Sequence, residues 1–373
     1  MPGAEESETV FTRVSLATCT LAILLSLAAC GSSGHQTAYV TTPFNSGVLA
    51  FHINDSTGNF TQILGSPYPT GISPTAVLVH PSGKFAYIAN AGEANISLFK
   101  IDKSAALTEV MPRTPTGKNP ASMVMDAAGS LLFVANTGSN TITAYSIDSG
   151  TGALTASTAA PALTGFSPIR LAISPSGKFL YVANQSSASI SGFAVDTSGG
   201  LTSVPNSPIH VGQGPNWIAF DPSGKFLYVA SLLDGDFSGF TVDGTSGSLT
   251  PMNGSPYGVV TSSTTVTPLT SLVVDSSGKY LYVTSQSSNN VYAFTIDANS
   301  GVPTAITTSP APPYAAGTAP SFIITDATGK FLFVGNESSS NITVFGIKAD
   351  TGVLTSLATN STSSAPASMA VIK

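Results

Sequence analysis

Charged side chains are scarce in this chain: 13 Lys and Arg with 19 Asp and Glu make up 9% of 373 residues, against roughly 25% in an ordinary soluble protein. There is no basic cluster and the net charge is −6, so nucleic acid finds no support as a partner. Cysteine is nearly missing. With only Cys19 and Cys30, neither a disulfide framework nor a thiolate zinc site can organise the fold. The four histidines, His35, His52, His80 and His210, stand at no spacing that would let two of them share a metal. No metal and no cofactor is expected, because no Gly-rich segment opens a helix to cradle phosphate and no nucleophile elbow is present. Long apolar runs are missing too, except for 14–29 (VSLATCTLAILLSLAA). That run has about 16 residues, short of the ~20 that cross a bilayer.

What the chain does have is hydrophobic content of 42%, with 35 Gly and 25 Pro. That is enough apolar surface to bury a core, and enough turn-forming residues to break it into short pieces. One piece recurs: HPSGKFAYIAN from His80, SPSGKFLYVAN from Ser174, DPSGKFLYVAS from Asp221. Alignment on these turns gives a unit of about 49 residues, the length of a propeller blade. Each unit reads as four strands rich in β-branched and aromatic residues. Strand A covers 75–80, 121–126, 169–174, 216–221, 270–275 and 321–326. Strand B is FAYIAN, LLFVAN, FLYVAN, FLYVAS, YLYVTS or FLFVGN. Strand C follows a polar loop (ISLFKI, TITAYSI, SISGFAV, FSGFTV, VYAFTI, ITVFGI), and a brief strand D closes the unit, as in LTEV or LTSL.

Six full units leave a B–C–D fragment at 38–63 and a lone A strand at 366–373. Together they make a seventh blade, so the expected fold is all-β: a seven-bladed β-propeller over 37–373, with four antiparallel strands per blade and the last strand closing the ring beside the first. The recurring Tyr or Phe of strand B (Tyr87, Phe133, Tyr181, Tyr228, Tyr282, Phe333) is expected in the core rather than in a ligand box.

With its SPSGKFLYVAN-type turns and ID…TG.L turns (Ile147-Asp148 … Thr151-Gly152-Ala153-Leu154), the chain resembles the seven-bladed lactonase-like propeller family, which includes 6-phosphogluconolactonase-type enzymes, and the YVTN-repeat propellers of cell surfaces. The resemblance implies lactone hydrolysis with His and Arg early in strand A, as P-x-H or P-R-H. Here the corresponding triplets include Pro120-Ala121-Ser122, Pro168-Ile169-Arg170 and Pro215-Asn216-Trp217; none carries a His, and Arg170 alone carries a charge. Leu27-Ala28-Ala29-Cys30 resembles the bacterial lipoprotein signal, which implies a signal peptide at 1–29, a lipidated Cys30 and a tether over 30–36. Gly31 after the cysteine is similar to the pattern of lipoproteins sent to an outer membrane. The implied location is the bacterial cell envelope, on the outer-membrane or periplasmic side, with the membrane contacted through Cys30.

Strand order sorts polar residues by face. Loops B–C and D–A share one face of the ring, loops A–B and C–D the other. Aspartates ending strand A (Asp126, Asp221, Asp275, Asp326) or strand C (Asp102, Asp148, Asp196, Asp243, Asp297) suit turn amides and are expected to be structural. On the B–C/D–A face stand carboxylates that break the repeat: Glu93, Asp234, Asp236 and Glu337. Arg113, His210, Arg170, Asn216 and Trp217 are expected near them. Trp217, the only tryptophan, beside Arg170 and Asn216 suits either a sugar or acid ligand held by stacking and bidentate hydrogen bonds, or a plug in the channel neck. Asp234-Gly235-Asp236 offers paired carboxylates without the rest of a calcium-loop signature.

The expected function is binding of a small molecule, a glycan or a protein at this face, without turnover. In the alternative, a lactone hydrolase, His210 or Glu337 activates water and Arg170 stabilises the oxyanion. A purely structural surface propeller is a third reading.

Overall fold

A computed structural model describes residues 35–259 and 267–373. The signal-peptide segment and Cys30 lie outside the described residues. Among these, the chain is strands and turns, with two short 3-10 segments at Pro43–Asn45 and Gln185–Ser187. No helix in them is long and apolar enough to cross a membrane.

Seven antiparallel sheets form, each in the order A-B-C-D. Blade 1 takes strand B from Gln36–Thr42, strand C from Gly47–Ile53 and strand A from Ser368–Ile372. Blades 2 to 7 begin with strands A at Pro74–Val79, Pro120–Met125, Pro168–Ile173, Pro215–Phe220, Leu269–Val274 and Pro320–Thr325. Each starts one residue earlier than expected, because the residue ahead of the run pairs with the end of strand B across a bulge, as Pro74 with Asn90. The strand B sextets fall where the repeat placed them, and every residue in all six is buried. A strand flanked by sheets on both faces reads as a continuous apolar run, not an alternating one.

The ring closes. Thr37–Thr41 pair antiparallel with Ser368–Ile372, and the buried apolar side chains fall into seven clusters, one at each blade–blade interface. The seventh cluster joins blade 7 (Phe331, Phe333, Ile342, Val344) to blade 1 (Ala38, Val40, Leu49, Met369). The aromatic of strand B is core, as expected, and where it is tyrosine its hydroxyl also latches the next blade. Tyr39 donates to Ala105 O at 2.8 Å, Tyr87 to Gly152 O at 2.8 Å, Tyr228 to Gly301 O at 2.6 Å and Tyr282 to Gly352 O at 2.8 Å, each acceptor lying in the neighbour's C–D turn.

The expected structural aspartates cap turn amides. Asp275 accepts from Tyr280 N at 2.8 Å and Lys279 N at 3.0 Å, and His80 takes the equivalent place in blade 2, its ring bonded to Ser82 and to Gly129 O. In the C–D turns, hydrogen bonds hold the carboxyls of Asp102, Asp148, Asp196, Asp243 and Asp297 below the usual carboxylate range.

Strand D departs from the expected single short run. In blades 1, 3, 4, 5 and 6 it breaks and resumes as a two-residue segment pairing the other end of strand C. Where it breaks, a serine hydroxyl stands in for a ladder carbonyl: Ser66 Oγ accepts from Ala50 N at 2.9 Å, Ser207 Oγ from Gly192 N at 2.9 Å and Ser255 Oγ from Gly239 N at 3.0 Å.

Candidate functional site

The seven A strands stand side by side around the axis, each touching the next through most of the ring. Their starts are stitched by side chains. Thr75 Oγ1 donates to Pro120 O at 2.7 Å, Thr270 Oγ1 to Pro320 O at 2.7 Å, and Ser122 Oγ accepts from Leu171 N at 3.1 Å. At the second register position of strand A, next to the B–C/D–A face, four blades carry small residues: Ala76, Ser122, Ser271 and Ser368. The other three carry Arg170, Trp217 and Phe322. These three are the bulky side chains at this position.

Phe322 turns away from the channel mouth. Its ring lies over Gly335 of strand B, where every other full blade has Ala or Thr, and it is 1% exposed. Trp217 reaches across the channel, packing against its own blade 5–6 cluster and against the blade 7–1 cluster. Arg170 stacks on it, its Cζ 3.2 Å from the indole centroid. The indole spans from its own blade to the blade 7–1 cluster and offers a face to the cation. Burial lowers the proton affinity of Arg170, but even a guanidinium brought down to about 9 is charged at neutral pH. Among the described residues no carboxylate pairs with Arg170 and no side chain or carbonyl accepts a hydrogen bond from it.

The other expected site residues spread out. Asn216 is committed to the wall: its Nδ2 donates to Thr270 O at 2.8 Å and its Oδ1 accepts from Gln185 Nε2 at 3.1 Å. Glu93 is bound at the rim of blade 2, 2.8 Å from Arg113 Nη1, while Arg113 also holds Glu109 at 2.8 Å. The Asn95 amide, then Arg113, keep the Glu93 carboxyl below its ordinary range. Asp234 Oδ2 accepts from Gln213 N at 2.7 Å, joining a D–A loop to a B–C loop as Ser139, Ser187 and Ser339 do in blades 3, 4 and 7.

His210 is not at the mouth. It sits exposed in the second strand D segment of blade 4, paired with Ser189, three strands or about 14 Å from strand A. The D–A loop begins only after it. Glu337 does face the mouth side: its backbone N–H bonds Ala319 O at 2.9 Å, as Thr137 N bonds Asn119 O and Gln185 N bonds Ser167 O in their blades. In those blades the side chain at this position reaches the next A strand, Thr137 to Pro168 O and Gln185 to Asn216. Glu337 is exposed and makes no ion pair among the described residues.

Two features of the site escaped sequence reasoning. A G-x-x-P turn precedes strand A in blades 2, 3, 4, 5 and 7, and its glycine (Gly71, Gly117, Gly165, Gly212, Gly317) lies against the last residue of strand B, where a Cβ would meet Asn or Ser at 2.5 to 2.9 Å. The recurrence of that pattern was the available signal. The second is an apolar rim on the loop tips: Phe44, Ile72, Phe166 and Leu233 are exposed, Phe166 at 68%. Loop tips follow no periodicity, so nothing in the sequence marked them.

A closed seven-bladed propeller whose channel mouth holds an arginine on an indole, unpaired among the described residues, is the class of protein this geometry defines. The family described as lactonase, seven-bladed β-propeller, matches over residues 30–169, 155–267 and 201–371. The chain belongs to that family. Similar solved structures include a candidate 6-phosphogluconolactonase from Bacteroides fragilis (22% identity, TM-score 0.78, covering 92% of this chain and 99% of that one). Others are the periplasmic gluconolactonase of Pseudomonas aeruginosa (16%, TM-score 0.78, covering 91% and 99%) and a Lactobacillus plantarum protein (19%, TM-score 0.77, covering 91% and 100%). At these identities the likeness is one of fold. No curated protein matches the chain.

Proposed function

We propose that the B–C/D–A face binds a small organic anion, a sugar acid or its lactone, at the channel mouth through Arg170. The single observation carrying this reading is a half-buried guanidinium stacked on Trp217 with no acceptor among the described residues. Stacking on the indole contributes about 1 kcal/mol at a partly exposed site, and the half-buried guanidinium keeps donors open to an incoming anion. A carboxylate meeting it in bidentate geometry would add two charge-assisted hydrogen bonds.

Hydrolysis of a lactone is the second reading, favoured by family membership and by Glu337, an exposed carboxylate on the mouth side that makes no ion pair among the described residues. His210 gives it no support from its place on the outer strand.

Calorimetric titration with gluconate and a hydrolysis assay on δ-gluconolactone test both readings. Arg170→Met is expected to weaken gluconate binding at least about tenfold, roughly 1.4 kcal/mol, while leaving the melting temperature nearly unchanged, because the side chain lost is half-buried and makes no ion pair among the described residues. Unchanged affinity, or a variant that is merely destabilised, would remove Arg170 from the ligand and return it to the wall. Loss of turnover in Glu337→Gln with intact gluconate binding would establish the hydrolase.

The same reading includes export and lipid anchorage at Cys30, supported by the Leu27-Ala28-Ala29-Cys30 pattern. Alkyne-palmitate labelling in a bacterial host is expected for the wild type and lost in Cys30→Ala; equal labelling of the two would refute anchorage there.

A further inference from the structure

In blades 2, 3, 4 and 7, strand B ends in an asparagine whose Nδ2 bridges two oxygens on strand C. Asn90 donates to Asn95 Oδ1 at 2.8 Å and Ser97 Oγ at 3.0 Å; Asn184 to Ser189 Oγ at 3.2 Å and Ser191 Oγ at 2.9 Å; Asn336 to Asn341 Oδ1 at 2.8 Å and Thr343 Oγ1 at 2.9 Å. Blade 3 does the same from Asn136, with Thr143 Oγ1 at 2.9 Å. One amide group, carrying two protons, satisfies two acceptors inside the blade.

Blade 5 breaks this rule in a particular direction. The asparagine is replaced by Ser231, and the first strand C oxygen belongs to a carboxylate, Asp236, directly opposite it in the hairpin register. Ser238 stands in the place of Ser97 and Ser191. Acceptors remain and the bridging donor is gone. Asp236 Oδ1 and Ser231 Oγ are both buried without a hydrogen-bond partner among the described residues, and Ser231 is wholly buried. Ser231 Oγ also points at Gly212: a Cβ there would lie 2.5 Å from it and 3.0 Å from Asp234 Oδ2. Burial first, then the charge of Asp234, push the Asp236 carboxyl above its ordinary range, and the nearby Ser231 hydroxyl opposes that without reaching hydrogen-bond geometry.

We propose that blade 5 carries a site for a hard divalent cation, Ca²⁺ by its oxygen-only donors, held by Asp236, Ser231 and Ser238 with Asp234 beside them. The cation takes the place of the amide protons of blades 2, 3, 4 and 7. Hydroxyl and carboxylate oxygens suit Ca²⁺ and exclude the softer transition metals. The position gives the ion a role. Asp234 ties Gln213 of the D–A loop to the B–C loop of the same blade, and Pro215 and Trp217 pair with Ser231 and Ala230. An ion here braces the two loops that flank the indole under Arg170, independently of what the mouth binds.

Thermal melts of the described propeller within the full chain, in millimolar CaCl₂ against EDTA, with Tb³⁺ luminescence as a direct probe, test the site. The wild type is expected to melt higher in Ca²⁺ and to sensitise Tb³⁺. Asp236→Asn is expected to weaken Tb³⁺ binding about tenfold or more. Ser231→Asn restores the amide of the other blades, so it is expected to fold and to lose the Ca²⁺ response. Identical wild-type melts in Ca²⁺ and EDTA without a Tb³⁺ signal would overturn the proposal. So would a Ca²⁺ response that survives unchanged in Ser231→Asn, since the ion would then sit elsewhere.

Discussion

Removal of residues 366–373 is expected to abolish the single cooperative melting transition of the propeller. Strand A of blade 1 comes only from this tail, and without it Gln36–Thr42, buried along its whole length, becomes an open sheet edge. The truncation takes Met369 and Val371 out of the blade 7–1 cluster, at about 2 kcal/mol or more for each side chain removed from a packed core. It also breaks the paired backbone from Thr37 to Thr41 and the Ser368 Oγ contact to Val77 N at 3.4 Å. The exposed edge then invites pairing between molecules. Calorimetry and size-exclusion chromatography of the truncated chain would show a broadened, lowered transition and self-association. A truncated monomer melting within a few degrees of the full chain would mean that blade 1 is stable with three strands.

Gly335→Ala is expected to destabilise the protein by about 3 kcal/mol, although alanine stands at this position in four of the other blades. A Cβ on Gly335 would lie 2.0 Å from Phe322 Cε1, 2.3 Å from Cζ and 2.6 Å from Cδ1. The ring is enclosed in the blade 7–1 cluster and has no room to retreat. The glycine is there for space, not for its backbone angles. Phe322→Ser creates a cavity and is costly by itself, on the order of 3 kcal/mol, but in that background Gly335→Ala should add almost nothing, since Ser122 opposite Ala135 is the same pair in blade 3. Chemical denaturation of the four proteins of this double-mutant cycle measures the coupling. Additive effects would show that Phe322 moves freely and that the contact is not what excludes alanine.

Phe322 and Gly335 also show how far a repeat can be read. Blade register follows from the chain alone, because each FLYVAN-type sextet is a buried, mostly apolar run ending in Asn or Ser and is preceded by a glycine-containing turn. The face of each polar residue was legible for the same reason: strand direction alternates, so a loop's place in the A-B-C-D order assigns it to one end of the ring. Glu337 and Asp234 lie on the face expected of them. Radial position was not legible. His210 was expected among the D–A loop residues, but strand D resumes its pairing with strand C as far as His210, which holds that residue at the outer edge. Whether a broken strand D resumes depends on where strand C still has free backbone groups, and no local pattern records that.

The pairing of Arg170 with Trp217 has the same character. Their types and their places near the start of strand A were plain, and so was the missing histidine. Their contact is made between two residues 47 positions apart, on strands of different blades, and it depends on how sharply the ring curves. The amino-acid order alone determined seven blades, the closing strand and the face on which each loop emerges, since those follow from periodic burial and strand alternation. The tertiary structure decided that Arg170 lies on the indole and that Asn216 and Glu93 are occupied elsewhere, and that, among the described residues, Arg170 has no acid partner and Asp236 Oδ1 and Ser231 Oγ no hydrogen-bond partner. Such contacts depend on the curvature of the closed ring and on the space each neighbour leaves, quantities that exist only once all seven sheets have packed.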